Sequence, residues 1–203
     1  LSDNRATMYV PRTAETEVID LLGQYPVVAI VGPRQCGKST LAKHILTGPS
    51  VYIDLELPSD LRKLDDAEQF LSNNRGSLVC IDEIQRKPEI FPLLRALCDK
   101  SGAPGQFLVL GSANPGLLRQ SSESLAGRIS YLYLTPFHIL EVGYANLNEH
   151  WLRGGFPGSW IPTEFSHSRR WRSDFVLTHL ERDVPSLGFS VSTQTMNRLW
   201  TML

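Results

Sequence analysis

Disulfide-forming, membrane-spanning and strongly one-signed features are all scarce in this chain of 203 residues. Its cysteines, Cys36, Cys80 and Cys98, are odd in number, far apart and free of any C-x-x-C pair. That pattern argues against a disulfide framework and a zinc knuckle, and it predicts a reducing, cytoplasmic compartment. No window approaches the roughly 18 apolar residues of a membrane span, and the N-terminus lacks the charged-then-apolar order of a signal peptide. A formal net charge of -1 creates no global field for a nucleic-acid backbone or an anionic membrane. No membrane partner is expected. The histidines, His44, His138, His150, His167 and His179, show no H-E-x-x-H or similar spacing, which favours core or surface roles over metal ligation.

What is present is a composition, 42% hydrophobic and 20% charged, that suits a globular chain with a sizeable core. Apolar strand-like runs at 26–31, 51–56, 77–82, 106–112 and 128–134 alternate with helical patterns at 13–24, 39–46, 59–74 and 88–101. The run "PVVAIV" has no polar alternation, as a strand buried on both faces requires. Ile90, Leu93, Leu94 and Leu97 share one helical face. Strict alternation of strand and helix predicts an α/β fold with a parallel sheet of about five strands. From Thr135 the strand runs cease and Gly154, Gly155, Pro157 and Gly158 mark a loop between helical stretches. The expected division is 1–135 for the sheet domain and 136–203 for a mostly helical part. The chain starts at Leu1 and stops at "NRLWTML" inside an apolar-periodic segment, the pattern expected of a fragment.

Gly32-Pro33-Arg34-Gln35-Cys36-Gly37-Lys38-Ser39 fits G-x-x-x-x-G-K-[ST] and lies between a buried-strand pattern and a helix pattern. Glycines let successive amides point into one concavity, and the following helix adds unpaired donors and its positive dipole end. Lys38 brings a mobile charge for the β- and γ-phosphates, the Ser39 hydroxyl suits Mg²⁺, and Thr40 adds a phosphate contact. Cys36 reads as a small spacer. The expected ligand is a nucleoside triphosphate.

In "SLVCIDEIQ" an apolar run ends in Asp82 and Glu83 at the strand's C-terminal end, where open α/β sheets hold ligands. Asp82 is placed to reach Mg²⁺, directly or through water, and Glu83 to polarise an attacking water. Another strand, "FLVLGSAN", ends in Ser112 and Asn114, polar groups that could orient the water or sense the γ-phosphate, with turn formation the plainer alternative. "RRWRSDF" interleaves basic and aromatic residues, which suits either a nucleic-acid contact or a solvated helix face with Trp171 and Phe175 packed inward. No N-K-x-D element for reading guanine is present.

Together "GPRQCGKST", "VCIDEIQRKPEIFPLLRALCD", "FLVLGSAN", "LAGRISYLYLTPFHILE" and "LRGGFP" resemble the AAA+ branch of P-loop ATPases. The closest likeness is to bacterial and archaeal ATP-binding proteins with an AAA domain followed by a C-terminal domain of unknown function. The resemblance implies strand order 5-1-4-3-2, ATP rather than GTP, and a winged-helix or nuclease-like part that would begin near "NRLWTML". It also implies that Arg128 in "LAGRI" contacts a γ-phosphate in cis or from a neighbouring subunit, with Arg34 as the rival and a surface arginine as the plain alternative. The expected activity is Mg²⁺-dependent ATP hydrolysis coupled to conformational change, with Glu83, Lys38, Ser112 and Arg128 in catalysis. The alternative is a nucleotide-gated switch with little turnover. A homo-oligomer, a protein client or a nucleic acid are the partner classes compatible with either.

Overall fold

The computed structural model describes residues 9–113, 115–184 and 192–202. It contains two compact units, Pro11–Pro136 and one made chiefly of the described residues from Phe137 onward.

In the first unit, β1 (Val27–Gly32) is buried along its whole length. It lies inside a five-stranded sheet with β2 (Ser50–Asp54), β3 (Leu78–Asp82), β4 (Phe107–Ser112) and β5 (Ile129–Tyr133), in the order β2-β3-β4-β1-β5. Every pairing is parallel. This is the expected order read from the opposite edge.

Alternate residues of a strand face opposite sides of the sheet, and here both sides are covered. Val28 and Ile30 pack with Leu108, Leu110 and with Val18, Leu41 and Ala42, which belong to helices α1 (Ala14–Leu22) and α2 (Lys38–Ile45). Val27, Ala29 and Val31 join Ile53, Ile81, Val109, Phe91 and Leu94 on the other side. Each buried Val, Leu, Ile or Phe among them contributes about 1.5–3 kcal/mol by leaving water. A run that is apolar throughout is therefore satisfied only in the middle of a covered sheet.

The helical pattern at 59–74 resolves into two helices, α3 (Pro58–Lys63) and α4 (Ala67–Asn73). Asp66 causes the break, because its side chain accepts from the Gln69 amide at 3.0 Å and starts a new helix, while Leu64 between the two is buried. The pattern at 88–101 becomes a 3₁₀ turn, Pro88–Ile90, followed by α5 (Phe91–Ser101). Pro92 in the first turn of α5 has no amide to give to a continuous helix. A further helix, α6 (Pro115–Ser124), lies between β4 and β5. The sequence pattern predicts no element there, although Pro115 and the buried Leu117 and Ser121 are compatible with a helix start and face.

The second unit is helical: α7 (Ile139–Val142), α8 (Leu147–Arg153), α9 (Pro157–Trp160), α10 (Phe165–Thr178), which continues into a π-helical turn at His179–Asp183, and α11 (Thr193–Met202). Trp171 and Phe175 stack with ring centroids 4.8 Å apart, and Phe156 lies 4.6 Å from Phe175. The Trp171 indole crosses Gly158 so closely that a Cβ there would stand 2.2 Å from Nε1. Arg172 donates to the hydroxyls of Ser159 and Ser168 at 3.0 and 2.7 Å. Trp171 and Arg172 are thus engaged in packing, while Arg169 and Arg170 are exposed.

Candidate functional site

β1 ends at Gly32, whose Cα pairs with Ser112 at the end of β4. Only a residue without a side chain fits at this exit, since a Cβ on Gly32 would lie 2.2 Å from the Leu134 carbonyl oxygen. The chain then turns through Gln35 (φ 61°) and Gly37 (φ 100°), both left-handed, and enters α2 at Lys38. Two left-handed residues within three positions curl the backbone around a concavity, and the first amides of α2 lie outside the helical ladder. Pro33, Gln35 and Thr40 are exposed, Arg34, Gly37 and Ser39 are half-buried, and Cys36 is buried. Burial pushes the Cys36 thiol up, which keeps it protonated and unreactive.

Lys38 is only 6% exposed. Its ammonium turns back over the loop and donates to the carbonyls of Gly32 and Pro33 at 3.2 and 2.8 Å. An ammonium in so dry a place requires partners, and these backbone carbonyls are exchangeable for phosphate oxygens.

Asp82 ends β3 and is 3% exposed. One carboxylate oxygen accepts from the Glu83 amide at 2.9 Å, and the other accepts from the Tyr52 hydroxyl of β2. Among the described residues, no Lys, Arg or His forms an ion pair with it. A buried, hydrogen-bonded carboxylate at the end of β3 and the Ser39 hydroxyl in the first turn of α2 both have the hard oxygen chemistry that Mg²⁺ takes. Among the described residues no group of three or more His, Cys, Asp or Glu side chains could hold a metal ion by itself. A divalent cation would therefore draw its remaining ligands from phosphate and water, as Mg²⁺ commonly does.

Glu83 follows in the left-handed region at φ 55°, a conformation that disfavours non-glycine residues. It starts a 3₁₀ turn, Ile84–Arg86, and its carboxylate accepts from the Gln85 side chain. Burial lifts its pKa above the ordinary glutamate value, partly offset by the Gln85 hydrogen bond and by Lys38. Two buried polar atoms have no hydrogen-bond partner among the described residues: the Ser112 hydroxyl and the Gln85 carbonyl oxygen. Gly111 makes room for the latter, since a Cβ there would lie 3.0 Å from it. Orphaned polar atoms at the exit of β4 suit a ligand or a bound water.

The fold thus brings the Gly32–Thr40 loop, Asp82, Glu83 and Ser112 to the C-terminal edge of the sheet. It does not bring Arg128 there. The Arg128 carbonyl accepts from the Val27 amide at 3.1 Å, at the opposite edge, and its guanidinium donates to Asp99 at 2.5 Å. The Asp99 hydrogen bond also raises the Arg128 pKa, holding the guanidinium charged. Asn114 lies outside the described residues. Three participants are not signalled by the sequence motifs. Arg12, 6% exposed, donates to the carbonyls of Cys36 at 3.0 Å and Thr135 at 2.6 Å. Tyr52 and Gln85 touch the acidic pair. No local signal identifies Arg12, whereas Tyr52 could have been noticed as the one hydroxyl-bearing ring in "VYIDLE".

A parallel sheet with helices on both sides, carrying this loop at the end of an inner strand and an acidic pair at a nearby strand end, defines the class of P-loop nucleoside triphosphatases. That fold implies nucleotide binding. The family model described as AAA domain matches residues 24–143, and the chain belongs to that family, as its motifs imply. A model described as a domain of unknown function matches residues 144–203. Uncharacterized proteins of Mycobacterium bovis and Mycobacterium tuberculosis are each 42% identical over 193 residues, which is 95% of this chain and 44% of theirs. The chain therefore spans less than half the length of these relatives. Among solved structures, the Walker-type ATPase PABY2304 of Pyrococcus abyssi is similar in fold, with a TM-score of 0.58 at 16% identity over 88% of this chain and 75% of that one. A signal-transduction ATPase with a tetratricopeptide-repeat sensor from Pyrococcus horikoshii gives 0.52 at 16% identity over 88% and 35%. Among the described residues no helix is long and apolar enough to cross a membrane.

Proposed function

We propose that this chain binds ATP with Mg²⁺ and hydrolyses the β–γ phosphoanhydride, the change in the site being passed to the rest of the protein. The observation that carries the reading is a buried ammonium, Lys38, and a buried carboxylate, Asp82, at one sheet edge, each held by neutral groups. The loop amides and Lys38 take the phosphates, and Thr40 adds a contact from its exposed position. Ser39 and Asp82 hold the cation. When bound, Mg²⁺ supplies charge neutralisation on the phosphate oxygens. Glu83 orients a water and accepts its proton as the water oxygen bonds to the γ-phosphorus and the bond to the β-phosphate oxygen breaks, releasing ADP and phosphate. Ser112 orients that water or the γ-phosphate. The nucleotide-handling domain in this reading is 1–135, supported by the compactness of Pro11–Pro136, and 136–203 begins a longer C-terminal domain. Arg128, turned from its own loop, serves the nucleotide of a neighbouring chain.

A second reading, a switch that binds nucleotide with little turnover, draws on the same placement of Arg128 and on the Lys38 ammonium folded onto its own loop. Calorimetric titration with ATP and GTP, with and without Mg²⁺, tests both. Mg²⁺-dependent ATP binding that Lys38→Ala weakens by about 100-fold or more supports nucleotide binding; two lost charge-assisted hydrogen bonds at about 1.5–3 kcal/mol each set that scale. Hydrolysis above the Lys38→Ala background separates the enzyme from the switch. No binding of either nucleotide overturns both.

A further inference from the structure

Tyr52 hydrogen-bonds one proposed cation ligand, Asp82, and lies near the other, Ser39. It lies on β2 with its Cα paired to Cys80, two residues before Asp82. Its hydroxyl donates to Asp82 Oδ2; burial and Asp82 raise the pKa of this phenol, and the Ser39 hydroxyl is near enough to lower it. The ring is fixed from α2, one helical turn beyond Ser39, by the Lys43 ammonium at 4.6 Å from its centroid. Two strands and a helix therefore converge on one phenolic oxygen.

We propose that Tyr52 is a positioning residue for the divalent cation, a role that rests on the nucleotide reading above. A serine hydroxyl that gives a lone pair to a cation needs an acceptor for its proton. The Tyr52 oxygen can accept that proton while its own O–H donates to Asp82, so one phenol orients both ligands. The Glu83 amide occupies the other Asp82 oxygen, and the carboxylate retains lone pairs for a cation or its water. Groups that orient metal ligands from behind typically change metal affinity by about 10–100-fold when removed. The alternative is a half-buried phenol that has merely found a hydrogen-bond partner.

Tyr52→Phe removes one oxygen and keeps the ring beneath Lys43. The test compares the full chain, Tyr52→Phe, Asp82→Asn and the double variant. It reads Mn²⁺ affinity by electron paramagnetic resonance in saturating ADP, ADP affinity by calorimetry in a chelator, and thermal unfolding. The expected result is a loss of Mn²⁺ affinity of about tenfold or more in Tyr52→Phe, metal-free ADP affinity within about twofold, and little further loss when Tyr52→Phe is added to Asp82→Asn. Unchanged Mn²⁺ affinity in a variant that still binds ADP overturns the role of Tyr52 alone. Equal loss of Mn²⁺ and metal-free ADP, or fully additive losses in the double variant, also overturns it, because a general structural effect would do the same. If Tyr52→Phe does not fold, Ser39→Ala replaces it: Asp82 and Ser39 losses that are fully additive then overturn the shared orientation. A wild-type chain that binds neither ADP nor Mn²⁺ overturns the nucleotide reading and this proposal together.

Discussion

The guanidinium of Arg12 donates to the carbonyl of Cys36 at 3.0 Å, tying the segment before α1 to the middle of the loop. Its other terminal nitrogen reaches the Thr135 carbonyl at 2.6 Å, so one buried side chain joins the loop to the chain just beyond β5. Arg12→Ala leaves both carbonyls without this partner and is expected to cost about 3 kcal/mol in chemical denaturation. ADP affinity should fall several-fold in calorimetry as the loop loosens. Arg12→Lys restores less than half of the loss, because one ammonium lacks the planar fork that spans both acceptors.

Glu83 predicts a pH dependence with a definite sign. Its folded-state value is raised above the ordinary one near 4.5 by burial. Below that ordinary value the carboxyl is neutral in folded and unfolded chains, and the stability associated with its neutral form is fully present. As pH rises through the raised folded value, a half-buried group must ionise and that contribution is lost. Glu83→Gln removes the titration, so its melting temperature should gain on that of the wild type as pH rises from the ordinary glutamate value through the raised folded one. ADP binding persists in this variant and hydrolysis is lost.

Gly155 lies so close to Phe137 that a Cβ would stand 2.0 Å from the Phe137 carbonyl oxygen and 3.0 Å from its carbon. The Phe137 amide donates to the Gly155 carbonyl at 2.7 Å, so the two backbones cannot separate without losing a hydrogen bond. Gly155→Ala is expected to destabilise the helical unit by about 3 kcal/mol. Trp151, Trp160, Trp171 and Trp200 are the chain's tryptophans and all follow residue 136. Tryptophan fluorescence should therefore report an earlier unfolding transition while ADP affinity stays unchanged.

Arg128 lies at the far end of β1 from the loop, about 16 Å away by strand rise. Arg128→Ala should leave ADP affinity in dilute solution within about twofold of wild type. If the arginine serves a neighbouring chain, turnover per chain rises with protein concentration in the wild type and not in Arg128→Ala. Steady-state hydrolysis over a dilution series reads this directly.

Much of the fold is legible because its signals are local. A wholly apolar 27–31 announces a covered strand, Gly32 and Gly37 announce a bend, and Asp82 and Glu83 stand out against the apolar run before them. The single helix expected at 59–74 failed at Asp66, where a side-chain cap to Gln69 outcompetes continuation. Helix α6 escaped because its turn-forming residues obscure a short apolar face.

The chain's own order of residues determined an alternating α/β fold, a phosphate-type loop and an acidic strand end, because periodicity, backbone freedom and charge after an apolar run act over a few positions. Only the tertiary structure decided that Arg12 secures the loop from 24 residues away, that Tyr52 from β2 reaches Asp82 at the end of β3, and that Arg128 faces Asp99. Those relationships depend on which strands become neighbours and which buried polar atoms then need partners. That requirement arises only once the sheet has closed around them.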